Sequence, residues 1–347
     1  MNPKPALARV QPEVLIVDDS AVARAVIARA VEAGGRFAVA GAVNDAGAAL
    51  DFLRRRAVDA IVLDLEMPGI DGLTALPDLL AASAGAPVLV VSSACEEGAA
   101  STIRALALGA ADTLVKPGIG NFAGRFGQIL EERLSRLVLD AATTPVAATP
   151  VGLVASDFDM IAIGASTGGI HALSRILSAL KPDQDQPIVI TQHLPESFMP
   201  YFATQVQLVA RRPCAVATES CRLEAGKILV APGDAHIRLV KTVDGAAVRL
   251  SREPAPSGCR PSVDPMLESA AEVFGARALA IVLSGMGRDG AIGAASIART
   301  GGTVVVQDKE SSVVWGMPGA IAAAGIADAI LPPDAIGRLV ASRKRPC

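Results

Sequence analysis

Aromatic side chains are scarce: eight Phe, one Tyr and one Trp serve 347 residues. The core must therefore be aliphatic, and modules that stack bases on exposed rings are excluded as a first reading. An excess of either charge is also missing. Lys and Arg number 32 against 35 Asp and Glu, for a net charge of −3. With a pI near 5.7 and no block of like charge, nucleic acid is not an expected partner. Cysteine is sparse and unpaired in pattern. The five residues Cys95, Cys214, Cys221, Cys259 and Cys347 form no CxxC. Free thiols in a reducing compartment fit that spacing better than a disulfide framework or a zinc site. No apolar run reaches the ~20 residues of a membrane span. The opening Met1-Asn2-Pro3-Lys4-Pro5 does not read as a signal peptide. A cytoplasmic protein without membrane insertion is expected.

What the chain does have is aliphatic bulk. Hydrophobic residues make up 51% and charged residues 19%. That excludes a largely disordered chain. The length suggests two domains at roughly 150 residues each.

The first 140 residues alternate short β-branched runs with longer Ala/Leu/Arg segments. Strands are expected at Val14–Val17, Ala38–Val43, Ala60–Leu63, Val88–Val91 and Thr113–Val115, with helices at Ser20–Ala33, Asp45–Arg56, Gly72–Ser83, Glu96–Leu108 and Asn121–Leu139. Such alternation predicts a doubly wound parallel sheet. The segment 141–156 reads AATTPVAATPVGLVAS, uncharged and proline-bearing, as a linker would. A second α/β region follows. It opens on the strand Met160–Ile163 and the small-residue turn Gly164-Ala165-Ser166-Thr167-Gly168-Gly169. Ile188–Gln192 reads as its next strand. Later elements are expected at Met266–Phe274, Ala278–Leu283, Asp289–Arg299, Thr303–Gln307 and Pro318–Ala324, after an irregular stretch over Ala215–Arg252.

Strand ends carry the chemistry. In a parallel sheet all C-terminal ends face one crevice. In the first region they deliver Asp18 and Asp19, Asp64, Ser92 and Lys116. Clustered carboxylates need a cation, and an all-oxygen set suits Mg²⁺. A carboxylate beside such a cation can accept a phosphoryl group.

In the second region the turn around Ser166 suits a phosphate or a nucleophilic serine. A dinucleotide site would place an acid at the next strand end, whereas this chain has Gln192-His193. His193 is thus the best base among the three histidines. His171 lies along the helix away from the strand end, and His236 could line the pocket. Asp289, in Ser284-Gly285-Met286-Gly287-Arg288-Asp289-Gly290, is either a helix N-cap or the residue that orients His193.

Two resemblances organise these residues. Through VLIVDDS, IVLDLEMPGIDG, VLVVSS and VKP, residues 13–139 resemble a response-regulator receiver domain. That resemblance implies phosphorylation of Asp64 by a histidine kinase phosphodonor. It places Asp18, Asp19, Asp64 and the Glu66 carbonyl around Mg²⁺, and makes Ser92 and Lys116 the switch pair. Thr113 stands where many receivers carry an aromatic switch residue. Through GASTGG, QHLP, APGDAH, CRPSVD, LSGMGRDG and VVWGMP, residues 157–340 resemble the catalytic domain of the chemotaxis protein-glutamate methylesterases, the CheB family. The implied triad is Ser166, His193 and Asp289, with oxyanion donors near Thr167 or Met286. Cys259 replaces a histidine often found there.

The fold expected is α/β throughout: a flavodoxin-like receiver at 13–140, a linker at 141–156 and a doubly wound methylesterase domain at 157–345. The function expected is a phosphorylation-regulated esterase and deamidase, working without a cofactor in hydrolysis on methyl-accepting chemoreceptors. Two other readings stand beside it. One is a receiver-controlled receptor-binding module without catalysis, and the other a dinucleotide-dependent oxidoreductase.

Overall fold

A computed structural model describes residues 11–92, 96–116, 123–139, 158–181 and 184–342. The chain divides into two compact units, Met1–Ala142 and Thr143–Cys347. The linker segment expected at 141–156 lies outside the described residues.

The first unit runs β1 (Glu13–Val17), α1 (Ala21–Glu32), β2 (Ala38–Val43), α2 (Ala46–Leu53), β3 (Ala60–Asp64), α3 (Gly72–Ala82), β4 (Val88–Ser92), α4 (Glu96–Leu108), β5 (Asp112–Val115) and α5 (Ala123–Val138). Its five strands are parallel in the order β2-β1-β3-β4-β5. This is the flavodoxin-like order, with its switch point beside β1. Every residue of β3 and β4 is buried, which is why both read as unbroken apolar runs. The helices begin where side chains cap them. Ser20 accepts the Ala23 amide, Asp45 that of Ala48 and Asp71 that of Thr74. Each cap contributes about 1 kcal/mol.

The second unit contains β6 (Met160–Ala165), α6 (Gly169–Ser178), β7 (Ile188–Gln192), α7 (Met199–Ala210), β8 (Cys214–Val216), β9 (Ile228–Val230), β10 (His236–Thr242), β11 (Gly245–Ser251), α8 (Val263–Phe274), β12 (Ala278–Val282), α9 (Ala291–Arg299), β13 (Thr303–Gln307), α10 (Met317–Ala323), β14 (Ala329–Leu331) and α11 (Pro333–Ala341). Seven strands form a parallel sheet in the order β14-β13-β12-β6-β7-β9-β8. The irregular stretch resolves into β8, β9 and the antiparallel hairpin β10–β11. The strand order reverses at β6, so β12, β6 and β7 lie side by side at the centre.

Two expected boundaries were wrong in an informative way. α8 starts at Val263, not Met266, because Pro265 sits in its first turn, where the ring costs no hydrogen bond. α9 starts at Ala291 behind the N-cap Gly290, so Asp289 does not begin that helix. Its carboxylate serves a different one. β14 and α11 were not anticipated at all.

Candidate functional site

In the first unit the strand ends converge as their register requires. Asp18 is fully buried after β1, and Asp64 ends β3 at 1% exposure. Lys116, following β5, places Nζ 2.6 Å from Asp64 Oδ2 and 3.7 Å from Asp18 Oδ2. Oxygens of Asp18, Asp19 and Asp64 lie within 4.8 Å of one another. Burial raises the carboxyl pKa of Asp18 and Asp64 above the ordinary range, against the pull of backbone amides and Lys116. Burial pulls Lys116 down, but the Asp64 hydrogen bond and charge outweigh it and hold the ammonium up. One lysine does not satisfy the cluster. Asp18 Oδ2 is buried and has no hydrogen-bond partner. An orphaned carboxylate oxygen beside two further carboxylates fits a hard divalent cation such as Mg²⁺. Glu66 is exposed at the rim, and its amide donates to Asp64 Oδ1 at 3.0 Å.

Ser92 ends β4 with its hydroxyl 2.7 Å from that of Thr102 on α4, both buried. Thr113, at the position of the missing aromatic, has a buried Oγ1 without a partner.

In the second unit the three central strands supply the three expected residues. The β6–β7 register sets Ala165 opposite Gln192, so Ser166 and His193 leave the sheet together. The His193 amide donates to the Ala165 carbonyl at 3.1 Å and fixes the two turns against each other. The Ser166 amide donates to Ser284 O at 3.0 Å, linking the β6 turn to the β12 turn. Asp289 follows β12, and its Oδ2 lies 2.7 Å from His193 Nε2. The structure thus joins His193 to Asp289. Ser166 Oγ makes no hydrogen bond to His193 or to any other described residue. Serine–base contacts are often long in unliganded sites.

Asp289 is 2% exposed yet fully served. Its carboxylate accepts from Ser262 Oγ at 2.7 Å and from the amides of Val263, Asp264 and Gly290 at 2.8, 3.3 and 3.1 Å. It caps the N-terminus of α8, whose own N-cap Ser262 bonds no helix amide with its side chain. Burial pushes this carboxyl up, but His193 and these donors outweigh it and bring it down to about 2. For His193, burial pulls the pKa down, while Asp289 and the Cys259 thiol push it up, to about 9. Asp264 beside it is pushed up to about 6 by burial.

The amides of Thr167 and Met286 flank the serine turn. Neither has a hydrogen-bond partner among the described residues, so both can serve an oxyanion. Thr167 is half-buried and Met286 exposed.

His236 does not reach the serine. It is buried, with Nε2 on Glu253 O and Nδ1 accepting the Ser262 amide, and so supports Asp289 from behind. His171 sits half-buried on α6.

Several supporting residues were missed. Buried Ser284 bonds Thr167 O at 2.7 Å and both main-chain groups of Val314, tying the serine turn to the 313–317 loop. Gln192 Nε2 holds Ser166 O at 3.0 Å, and Gln307 Oε1 accepts the Ser284 amide at 2.8 Å. The available signal was position: Gln192 and Gln307 end buried strands, where a polar residue needs a reason. Gly285 makes room for Ser166, since a Cβ there would lie 2.7 Å from Ser166 Cβ and 2.4 Å from Met317 Sδ.

Comparison with known proteins decides the family. Residues 161–340 match the CheB methylesterase family model, more than half of the chain. The chain belongs to the CheB methylesterase family. Residues 14–121 match the response regulator receiver domain. A Caulobacter vibrioides protein-glutamate methylesterase/protein-glutamine glutaminase 2 is 41% identical over 96% of this chain and 99% of that relative. A Pseudomonas aeruginosa protein of the same printed name is 39% identical over 93% of this chain and 94% of its own length. Among solved structures, the Thermotoga maritima CheB methylesterase catalytic domain is 33% identical, with a TM-score of 0.51 over 53% of this chain and 98% of that one. In this family setting, no helix among the described residues is long and apolar enough to cross a membrane.

Proposed function

We propose that this chain is a phosphorylation-regulated serine hydrolase that removes methyl groups from glutamate esters of chemoreceptors and deamidates receptor glutamines. The observation that carries the reading is the 2.7 Å bond between His193 and Asp289 at the strand ends flanking Ser166. Family membership agrees with it. Because Nε2 is held by Asp289, Nδ1 is the nitrogen left to take the serine proton.

Ser166 Oγ attacks the ester carbonyl carbon as its proton passes to His193. The amides of Thr167 and Met286 stabilise the oxyanion, each donor contributing about 3–4 kcal/mol. The tetrahedral adduct collapses, and methanol leaves with the proton from His193. Water, deprotonated by His193, then attacks the glutamyl–serine ester. Glutamate is released and Ser166 regains its proton. With glutamine, ammonia leaves in place of methanol. Asp289 keeps the ring oriented and stabilises the imidazolium.

In the receiver, Asp64 accepts the phosphoryl group, and Ser92 and Lys116 hold its oxygens. Asp18, Asp19, Asp64 and the Glu66 carbonyl would hold Mg²⁺, which supplies positive charge against the phosphoryl oxygens. A histidine kinase is the phosphodonor, and the cytoplasm is the compartment in which kinase, thiols and receptor tails meet.

The test is methanol release from methylated receptor by wild type and Ser166→Ala, with and without a small phosphodonor plus Mg²⁺. Release that needs Ser166 and rises with the phosphodonor is expected. Release that persists in Ser166→Ala would overturn the nucleophile. Absence of release from the wild type would favour a binding module without catalysis.

A further inference from the structure

Cys259 takes no bond-making part in the hydrolysis, yet it stands at the triad. A ligand atom each from Cys259, His193 and Asp289 lie within 4.8 Å of one another. The thiol is half-buried on the loop before α8, with Sγ 3.9 Å from Ser257 O and within reach of His193. It faces a cavity of about 980 Å³ that is also lined by Asp289 and Met286. Solvent ions therefore have a way in.

We propose that Cys259, His193 and Asp289 form a binding site for a borderline-soft divalent cation, Zn²⁺ being the best match, and that metal and hydrolysis compete for His193. Thiolate, imidazole and carboxylate together are the donor set of tetrahedral zinc and differ sharply from the all-oxygen cluster of the receiver. Zinc bonds of about 2.0–2.3 Å put tetrahedral donors about 3.5 Å apart. The cluster must therefore open along the 2.7 Å His193–Asp289 contact and bring all three donors to that spacing. The adjustment falls to His193 and Cys259. The His193 side chain keeps 15% exposure and Cys259 is half-buried, whereas Asp289 is anchored by its amides. The cation takes the Nε2 position between His193 and Asp289, the displaced ring proton sits on Nδ1 so that the imidazole stays neutral, and the Cys259 thiol gives up its own proton to solvent. The fourth position is left to water. With Nε2 on the metal and Nδ1 protonated, no base remains for Ser166. Binding does not depend on the proposed hydrolysis; only the competition does.

The test uses the full-length protein in saturating Mg²⁺, which occupies the receiver's oxygen cluster without competing for a thiolate. Co²⁺ replaces Zn²⁺ as the optical probe. One equivalent should give tetrahedral d–d bands and a near-ultraviolet sulfur-to-cobalt charge-transfer band, and Zn²⁺ should abolish both. Cys259→Ser should lose the sulfur band and bind about tenfold or more weakly, and Asp289→Asn should also weaken binding. In the unsubstituted protein, Zn²⁺ should shield Cys259 from iodoacetamide, read by peptide mapping. This second measurement needs no variant. No sulfur band in the wild type, a band that survives in Cys259→Ser, or alkylation of Cys259 unaffected by Zn²⁺ would each overturn the site. Zn²⁺ should also stop methanol release, with recovery on chelation. Binding without inhibition would overturn the competition, while binding to a protein that releases no methanol at all would count against the hydrolase reading alone.

Discussion

Asp18 and Asp289 are both buried carboxylates just beyond the end of a central strand, and they are held in opposite ways. Asp18 keeps one oxygen without any hydrogen-bond partner, and burial raises its pKa. Asp289 accepts from a hydroxyl, three amides and an imidazole, and its pKa drops to about 2. The difference separates a site built to receive charge from one built to keep it. Three carboxylates and one lysine leave the receiver pocket short of positive charge until a cation arrives. The esterase carboxylate is finished before any substrate comes, as a preorganised site must be.

The sharpest way to separate the two pockets is Ser166→Ala. Methanol release should fall by about 10⁴-fold or more. Phosphorylation of Asp64 from a small phosphodonor should not change, since it belongs to the other unit. Loss of both activities would mean that the two pockets are not independent.

Asp-to-Asn substitution should then act with opposite signs on stability. Asp289→Asn removes an α8 cap and the partner of His193. We expect kcat to drop by about 10²- to 10⁴-fold and the thermal midpoint of the second unit to fall. Asp64→Asn relieves a buried like-charge cluster, so the first unit should melt higher while phosphorylation is lost. The pH signs follow. A depressed Asp289 contributes stability above 3.8 that is lost as pH falls toward about 2. A raised Asp64 does the reverse, costing stability as pH rises through its elevated pKa. Calorimetry of both variants against pH checks all four signs.

His193 gives a smaller, kinetic effect. Only the neutral ring accepts the serine proton, and its pKa stands at about 9 instead of 6.5. kcat/KM should therefore rise with pH up to about 9. Cys259→Ala removes one of the raising causes, so the acid limb should shift toward 6.5. An acid limb that stays in place would take the thiol out of the ring's electrostatics. Gly285→Ala should be milder still. Its methyl would crowd both Ser166 Cβ and the buried Met317 Sδ, lowering kcat by about tenfold and the melting point of the second unit with it.

The sequence carried the strand ends and lost their supports. Ser166 and His193 were legible because each directly follows an apolar run of strand length, and Asp289 because it lies in the glycine-rich turn after another; parallel strands share a C-terminal edge. Ser262 and Ser284 were not. They act on partners 27 and 117 residues away, Asp289 and Thr167, and no local pattern records such a pairing. Asp289 was legible as either an N-cap or a triad member, and it is a cap, though of α8 and not of the helix that follows it. β14 stayed hidden because three residues at a sheet edge, Ala329–Leu331, give no periodicity to read.

The least disruptive probe addresses how the receiver works with Thr113 in place of an aromatic ring. Ser92 is bonded at rest to Thr102 on α4, and this 2.7 Å contact is buried. If Ser92 is the donor in that pair, turning its hydroxyl toward a phosphoryl group on Asp64 withdraws it from Thr102, whose oxygen then loses its donor. Exchanging one buried hydrogen bond for another involves about 1 kcal/mol. Thr102→Val deletes the resting partner at nearly constant volume. The phosphorylated arrangement should then be favoured by that amount, about a fivefold shift. Methanol release without phosphodonor should rise, and the factor by which phosphodonor stimulates it should shrink. Thr113→Val, which removes a hydroxyl that bonds nothing, should leave that factor alone and raise the melting point slightly. If instead Thr113→Val abolishes stimulation and Thr102→Val does not, the signal leaves the pocket through β5 and not through α4.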